Sequence, residues 1–452
     1  MFRRDGVLMD NVDSAWLRME DSTNLMTITA LMVLDGRVEL ARLKEIIEDR
    51  LMIHDRFRQK VLEAVLPLGK PRWVEDEHFT LRYHLRKVAL AAPQDQKALQ
   101  DLVSDLMSTP LDRSRPLWQI HVVEDYGEGT AIIIRLHHCI GDGIALVRLL
   151  FTLTDEEPEA PPVVRKKGKA SPGGARSLPA ALVNQGREAF VNPEKLAELV
   201  QSGAGAVSVL ARLVQRPADP KTAFKGRITI TKKAAWSGPV SLDEVKRIGK
   251  IAGATVNDVL LAVATGAMRR YLIGRGDRVE GEDIHAVLPV NLRPEEELGE
   301  LGNRFGLVFV ALPVGLNDPL KRLATVRRRM NRLKRSPEAG VVFSVLQLLG
   351  IARPELLALG VDFFGSKATL VMTNVPGPRK HLYLAGCKLR NMMFWVPQSA
   401  RLGLGVSIFS YAGEVRVGVA VDAALVPDPD TLVQHVHGEL DLLLEEIEKR
   451  EG

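Results

Sequence analysis

The chain has 452 residues, room for about two or three domains with a core each, and its 46% hydrophobic and 26% charged content excludes a disordered or fibrous chain and a small stapled module. Net charge is +5 from 61 Lys+Arg against 56 Asp+Glu, a surplus that suits small acidic ligands or an anionic lipid surface at least as well as nucleic acid. The two cysteines, Cys139 and Cys387, make neither a disulfide framework nor a metal-ligand spacing, and they point to a reducing compartment, the cytoplasm by default.

Arg3 and Arg4 have no apolar run behind them, so no secretion signal is expected. No stretch reaches the roughly 20 apolar residues of a bilayer span, the nearest being 339–352, which carries Gln347. Thr27–Leu34 reads as a strand, and Leu40, Leu43, Ile46, Ile47 and Leu51 follow at helical spacing. A helix is expected over 96–107. Strands over 117–123 and 131–138, joined by the turn-forming 125–129, predict a hairpin, with a helix over 144–151 after it.

From Asp155 to about Ser177 the chain carries Pro158, Pro161, Pro162, Pro172 and the basic run 165–169, a composition expected of a linker. Helical patterning resumes over 182–214, and the second half begins near Lys225. Ser241-x-x-Glu244 and Thr255-x-x-Asp258 predict capping boxes for helices to Ile251 and Leu272. Strands are expected at 284–290, 307–314, 368–373, 392–396, 403–410 and 414–421, with helices over 320–364 and 431–449. Strands and helices mix in both halves without strict alternation, which favours two α/β sandwich domains with mixed sheets over one doubly wound sheet. The division expected is 1–154, a connecting segment 155–224, and 225–452.

The densest polar cluster on an apolar background is His137-His138-Cys139-Ile140-Gly141-Asp142-Gly143, closing the strand 131–138. Neighbouring strand residues face opposite ways, so one histidine is expected as a base and the other as its support. His138 is the candidate base, since imidazole exchanges a proton near neutral pH, and His137 is the support. Gly141 and Gly143 allow positive φ or close backbone approach, making Gly143 part of a sharp motif turn. Opposed faces are poor geometry for a metal held by His137, His138 and Asp142, and no metal is expected. A pair of satisfied histidines with Asp142 capping the next helix is the bland alternative. The four residues between His137 and Asp142 also match the His/Asp spacing of glycerol-phosphate acyltransferases.

The double histidine and flanking glycines fit another pattern better, and further landmarks accompany them in order: Asp13-Ser14-Ala15-Trp16-Leu17, Pro71-Arg72-Trp73-Val74, Pro116-Leu117-Trp118, Asn257-Asp258, Pro289-Val290-Asn291-Leu292-Arg293, Gly302-Asn303-Arg304-Phe305-Gly306 and Thr373-Asn374-Val375-Pro376-Gly377-Pro378. By these the chain resembles, over nearly its whole length, the bacterial wax ester synthase/diacylglycerol acyltransferases of the CoA-dependent acyltransferase superfamily, whose mark is His-His-x-x-x-Asp-Gly.

The resemblance implies two chloramphenicol-acetyltransferase-like domains with the reaction channel between them. It implies acyl-CoA as co-substrate with no bound cofactor, diacylglycerol or a long-chain alcohol as acceptor, and His138 as the general base for direct attack without an acyl-enzyme. Asp142 is then architectural, capping the helix or pairing with an arginine, for which Arg293 is a candidate. Asn257 is either a first-turn helix residue or a group that orients the base or donates to the oxyanion; the sequence leaves both open. Lys321, Arg322, Arg327, Arg328, Arg329, Arg332, Lys334 and Arg335 crowd one expected helix. They read either as a solvated face or as contact with anionic lipid, consistent with a peripheral site on the inner membrane or lipid droplets. Nucleic-acid binding is disfavoured, with no recognisable module and only 5% aromatics.

Overall fold

The computed structural model describes residues 6–64, 69–159, 204–294, 301–398 and 400–451. Two mixed β-sheets flanked by helices organise the chain. The first has six strands, in spatial order Tyr383–Leu384, Cys387–Trp395, Thr27–Leu34, Gly129–His137, Trp118–Tyr126 and Leu85–Lys87, with only the last pair parallel. Thr27–Leu34 and Gly129–His137 are buried at every residue because both faces of the sheet are covered, which is why they read as apolar runs rather than as alternation. A three-stranded antiparallel sheet, Val7–Leu8, Arg72–Glu75 and Gln59–Leu62, stands beside it.

The second sheet has seven strands: Phe305–Leu312, Ile284–Asn291, Leu370–Pro376, Leu404–Tyr411, Glu414–Asp422 and Lys232–Trp236 in order, with Val240–Ser241 also paired to Glu414–Asp422. Ile284–Asn291, Leu370–Pro376 and Leu404–Tyr411 run parallel to one another, and the outer pairings are antiparallel. The helix Val256–Gly274 fills the core under this sheet, packed against Pro429–Glu451. Both halves of the capping box form at Thr255 and Asp258, and Ser241 accepts from the Glu244 amide at the start of Leu242–Ala252. No single described helix is long and apolar enough to cross a membrane.

The expected unit 225–452 does not keep all its strands. The strand foreseen at 392–396 begins at Cys387 and pairs antiparallel with Thr27–Leu34, so the second half completes the first sheet. Met392, Met393, Phe394 and Trp395 are buried from both sides. The sheets meet where Met393 and Trp395 lie over Gly418; a Cβ there would stand 2.5 Å from Met393 Cε, so only glycine admits the contact.

Of the expected connecting segment, 155–159 and 204–224 are described, and Ala204–Gln215 is a helix. The proline-rich stretch beyond residue 159 and the basic run 165–169 lie outside the described residues. The expected helical span 320–364 divides into Pro319–Leu333, Glu338–Leu349 and Pro354–Ser366. Of the cations of Pro319–Leu333, Arg322 is buried and Arg329 half-buried, while Lys321, Arg327, Arg328 and Arg332 are exposed, so most of the basic face is solvated. Arg322 pairs with buried Glu439 and with the carbonyls of Leu316 and Asn317, Arg329 clamps Asp283, and Arg327 donates to the Ala252 carbonyl. Arg332 and Arg335 remain exposed.

Candidate active site

The strand Gly129–His137 stops one residue before the expected end, and the His138 amide continues its pairing by donating to the Met26 carbonyl at 2.7 Å. The chain then runs beside Gly302 from the other half: the Gly302 amide donates to the Ile140 carbonyl at 3.1 Å and the Asp142 amide to the Gly302 carbonyl at 3.2 Å. A Cβ on Gly141 would stand 3.4 Å from the Gly302 nitrogen, so Gly141 serves close approach, as expected. Positive φ falls on Gly302, at 104°, and on neither Gly141 nor Gly143. This corrects the role expected of Gly143. It is the first residue of the helix Gly143–Thr152, and a Cβ on it would meet only Val396, at an ordinary 3.8 Å.

His138 is 5% exposed. Its ring stacks on Trp16 with centroids 4.3 Å apart and lies 5.6 Å from Phe305, joining the helix Asn11–Met19 and the strand Phe305–Leu312 around the imidazole. Its carbonyl accepts from Asn303 Nδ2 at 2.7 Å, and the same amide nitrogen donates to Asp13 Oδ1 at 2.8 Å. Asp13 Oδ1 also accepts from the Asn303 backbone N–H. Burial lowers the imidazole to about 4, with the nearby Asp142 charge acting in the opposite sense, so the ring is neutral at pH 7. Nδ1 is enclosed, which leaves Nε2 as the nitrogen able to meet a substrate. Burial raises Asp13 to about 6 against the opposing Asn303 donors.

His137 faces the other way, as alternation requires. Its Nδ1 accepts from the Cys139 amide at 3.1 Å, and its Nε2 lies 3.1 Å from Glu20 Oε2. Burial would raise the Glu20 carboxyl, but contact with His137, the Met26 amide and the charge of Arg113 outweigh it and hold the group at about 2. His137 therefore supports the loop through a buried anion. Glu20 gave no signal in the sequence, and Asn303 registered only as part of a turn.

Asp142 takes both architectural roles foreseen for it. Oδ1 caps the helix Gly143–Thr152 by accepting from the Ala145 amide at 2.8 Å, and Oδ2 receives Arg293 Nη2 at 2.9 Å and the Arg304 amide at 3.2 Å. Arg293 also donates to the Gly302 carbonyl at 2.7 Å. With its carboxylate so committed, Asp142 does not converge with the two histidines on a common point. Among the described residues no group of three or more His, Cys, Asp and Glu is placed to hold a metal ion. Burial pushes the Cys139 thiol well up, so it is not a ready nucleophile.

Asn257 sits in the first turn of Val256–Gly274, and its Oδ1 accepts from Asn374 Nδ2 at 2.9 Å. The side-chain amide that holds the His138 main chain is that of Asn303. Trp118 packs, as its landmark suggested: it stacks on His84 and donates to the Phe57 carbonyl.

Trp16 also lines an apolar cleft. Its walls include Leu307 and Phe309, with Leu346, Leu349, Val361 and Phe364 from the helices Glu338–Leu349 and Pro354–Ser366. A neutral, buried imidazole thus lies one aromatic ring away from space suited to a hydrocarbon chain.

Comparison with known proteins covers nearly the whole chain. Residues 9–260 match the wax ester synthase/diacylglycerol acyltransferase catalytic domain, and residues 301–444 match the C-terminal domain of the same family. The probable diacylglycerol O-acyltransferase tgs1 of Mycobacterium tuberculosis is 28% identical over 443 residues, 95% of this chain and 94% of its own length. A second putative diacylglycerol O-acyltransferase of that organism, Rv1760, is 28% identical over 93% of this chain and 86% of its own. The wax ester synthase/diacylglycerol acyltransferase from Marinobacter aquaeolei VT8 shares the fold at a TM-score of 0.71 and 24% identity, over 98% of this chain and 99% of that one. The starter condensation domain of rhizomide synthetase, solved with C8-CoA and Leu-SNAC, shares it at 0.61 and 13% identity, over 98% and 94%. The α/β fold with mixed sheets is thus the one expected, and the chain belongs to the wax ester synthase/diacylglycerol acyltransferase family of O-acyltransferases.

Proposed function

We propose that this enzyme moves a fatty acyl group from acyl-CoA to diacylglycerol, a long-chain alcohol, or both, with His138 as general base. The observation that carries the reading is the neutral, buried His138 stacked on the Trp16 ring that also lines the apolar cleft. Nε2 accepts the acceptor's hydroxyl proton while that oxygen attacks the thioester carbonyl. The tetrahedral intermediate then expels CoA as thiolate, which takes the proton back. An imidazolium of pKa about 4 gives its proton readily to a thiolate whose own conjugate acid lies at roughly 8.5. Attack is direct, since burial keeps the Cys139 thiol protonated. Asn257 is the residue offered to orient the base or to donate to the oxyanion, its Nδ2 having no hydrogen-bond partner among the described residues and having to turn outward to reach a substrate. The setting is cytoplasmic, peripheral on the inner membrane or lipid droplets, where acceptor and product reside.

The test is thiol release from palmitoyl-CoA with 1-hexadecanol and a diacylglycerol as separate acceptors, for the parent and His138→Ala, with folding of both checked. Acceptor-dependent thiol and a new ester, both lost in the variant, are expected. Thiol release that is absent, or unchanged in His138→Ala, refutes the mechanism and favours a lipid-binding protein without turnover or another acceptor.

A further inference from the structure

Twelve large apolar side chains are exposed among the described residues, and four of them fall in the single stretch 348–359: Leu348 at 65%, Ile351 at 49%, Leu356 at 56% and Leu359 at 66%. The two helices that carry this stretch are the ones whose inner side chains Leu346, Leu349, Val361 and Phe364 wall the apolar cleft. Inner and outer faces are thus parts of one apolar layer, with the cleft and Trp16 beneath it and solvent above. The layer is held firmly. Gly350 lies directly against the Asn11 backbone, Arg18 reaches the Gly350 carbonyl at 3.5 Å, and Gly360 passes so close to Leu349 that a Cβ would stand 3.1 Å away. The base of the patch is therefore the helix Asn11–Met19 that carries Trp16.

Charge says what kind of surface fits. Along 348–366 the charged residues are Arg353, Glu355 and Asp362, and Asp362 pairs with Arg401 at 3.0 Å. Nearby Lys367 reaches the Arg216 carbonyl and lies over the Phe363 ring. Within this stretch two acids stand against one arginine, so among the described residues no cationic surplus accompanies the leucines themselves, whereas the exposed cations Lys321, Arg327, Arg328 and Arg332 lie on a separate helix, Pro319–Leu333.

We propose that the face formed by Leu348, Ile351, Leu356 and Leu359 inserts into the surface of a neutral or zwitterionic lipid phase, driven by apolar burial rather than by anionic headgroups, and sets the cleft mouth against that surface. A lipid acceptor then passes from its own phase to the Trp16–His138 stack under continuous apolar cover. The delivery step rests on the acyltransferase reading, whereas the docking does not.

The experiment is co-flotation of the full chain with phosphatidylcholine vesicles at low and high salt, without acyl-CoA, for the parent, Leu356→Glu/Leu359→Glu and Arg332→Ala/Arg335→Ala. Thiol release with a short, water-soluble alcohol is measured in parallel without vesicles. The parent and the arginine variant float equally at both salt levels, and the leucine variant loses at least about tenfold in partitioning while keeping its melting temperature and thiol release. A parent that does not float, that floats only with anionic lipid at low salt, or that the leucine variant matches overturns the proposal. So does a parent dimer that the leucine variant dissociates, which would assign the patch to a second copy of the chain. Flotation as expected with no thiol release from any variant would uphold docking while the acyltransferase reading fails.

Discussion

Removing Asp142 should cost more than removing any exposed carboxylate of this chain, because its two oxygens serve three buried partners. In Asp142→Ala the Ala145 amide loses its cap, worth about 1 kcal/mol. The Arg293 guanidinium, with a side chain 3% exposed, loses the Asp142 carboxylate, a loss of about 3–5 kcal/mol when one member of a buried pair is deleted. Together that is about 4–6 kcal/mol against a total stability of roughly 5–15 kcal/mol. Asp142→Asn keeps an oxygen for the Ala145 amide and loses the charge, so it should cost about 3 kcal/mol. Asp142→Ala/Arg293→Met removes the buried cation as well and should recover about 2 kcal/mol relative to Asp142→Ala. Urea unfolding of the four proteins, compared by midpoint and slope, reads these differences directly. An Asp142→Ala protein within about 1 kcal/mol of the parent, or a double variant no better than that single one, would refute the coupling drawn here. An Asp142→Asn protein that folds like the parent but loses the alkaline limb of its pH–rate profile would make Asp142 a proton donor instead.

The depressed His138 value sets both activity and stability against pH. The acid limb of kcat/KM for the free enzyme should lie near 4 rather than near the 6.5 of an exposed imidazole, and a limb at 6.5 would show that His138 is not the titrating base. For stability, the unfolded chain takes up the proton at 6.5 while the folded chain resists until about 4, so this contribution is complete above 6.5 and falls away with acid by about 3 kcal/mol. Glu20 acts in the same direction over a lower range, stabilising above the ordinary 4.5 and lost as pH falls toward about 2. Glu20→Gln keeps an oxygen for the Met26 amide but removes the anion beside His137; a drop in kcat of about tenfold or more with little change in KM is expected, and a parent-like kcat would show that the His137 ring needs no charge to hold the loop.

The chemistry of this site was legible because it is local. His137 through Gly143 spans a strand end, a tight turn and a capped helix start, and period-two alternation alone separates the histidines into one facing Trp16 and one facing Glu20. The capping of Val256–Gly274 and the hairpin before the motif were legible for the same reason, being settled within a few residues. What joins distant stretches was not. Glu20 is an ordinary acid after a short helix until the fold buries it, and Asn303 becomes the holder of His138 only because Gly302 runs beside Gly141. The crossing of Cys387–Trp395 into the first sheet escaped because an apolar strand pairs equally well with either sheet, and only the close packing over Gly418 decides between them. The basic helix was legible as a largely solvated face, but not the exception within it: a row of arginines has the same appearance whether its partners are water or buried acids, and the Glu439 that holds Arg322 lies 117 residues away.

These long-range ties bear on how His138 is kept in place. The loop that carries His138 is pinned by the second half at three points: Asn303 on the His138 carbonyl, Gly302 on the backbone of Ile140 and Asp142, and Arg293 on the Asp142 carboxylate. The helix that stacks Trp16 against the imidazole is tied to the same segment through Asp13 and Asn303. The Trp16–His138 stack and the Asp142 cap lie within the first half, but Phe305 against the imidazole and the three pins on its loop come from the second, so the burial that lowers the His138 pKa depends on both. Separation of the halves would hydrate the imidazole and move it toward 6.5. Catalytic competence and docking of the halves are therefore one cooperative property, and substitutions anywhere along Arg293, Gly302 and Asn303 should act on both at once.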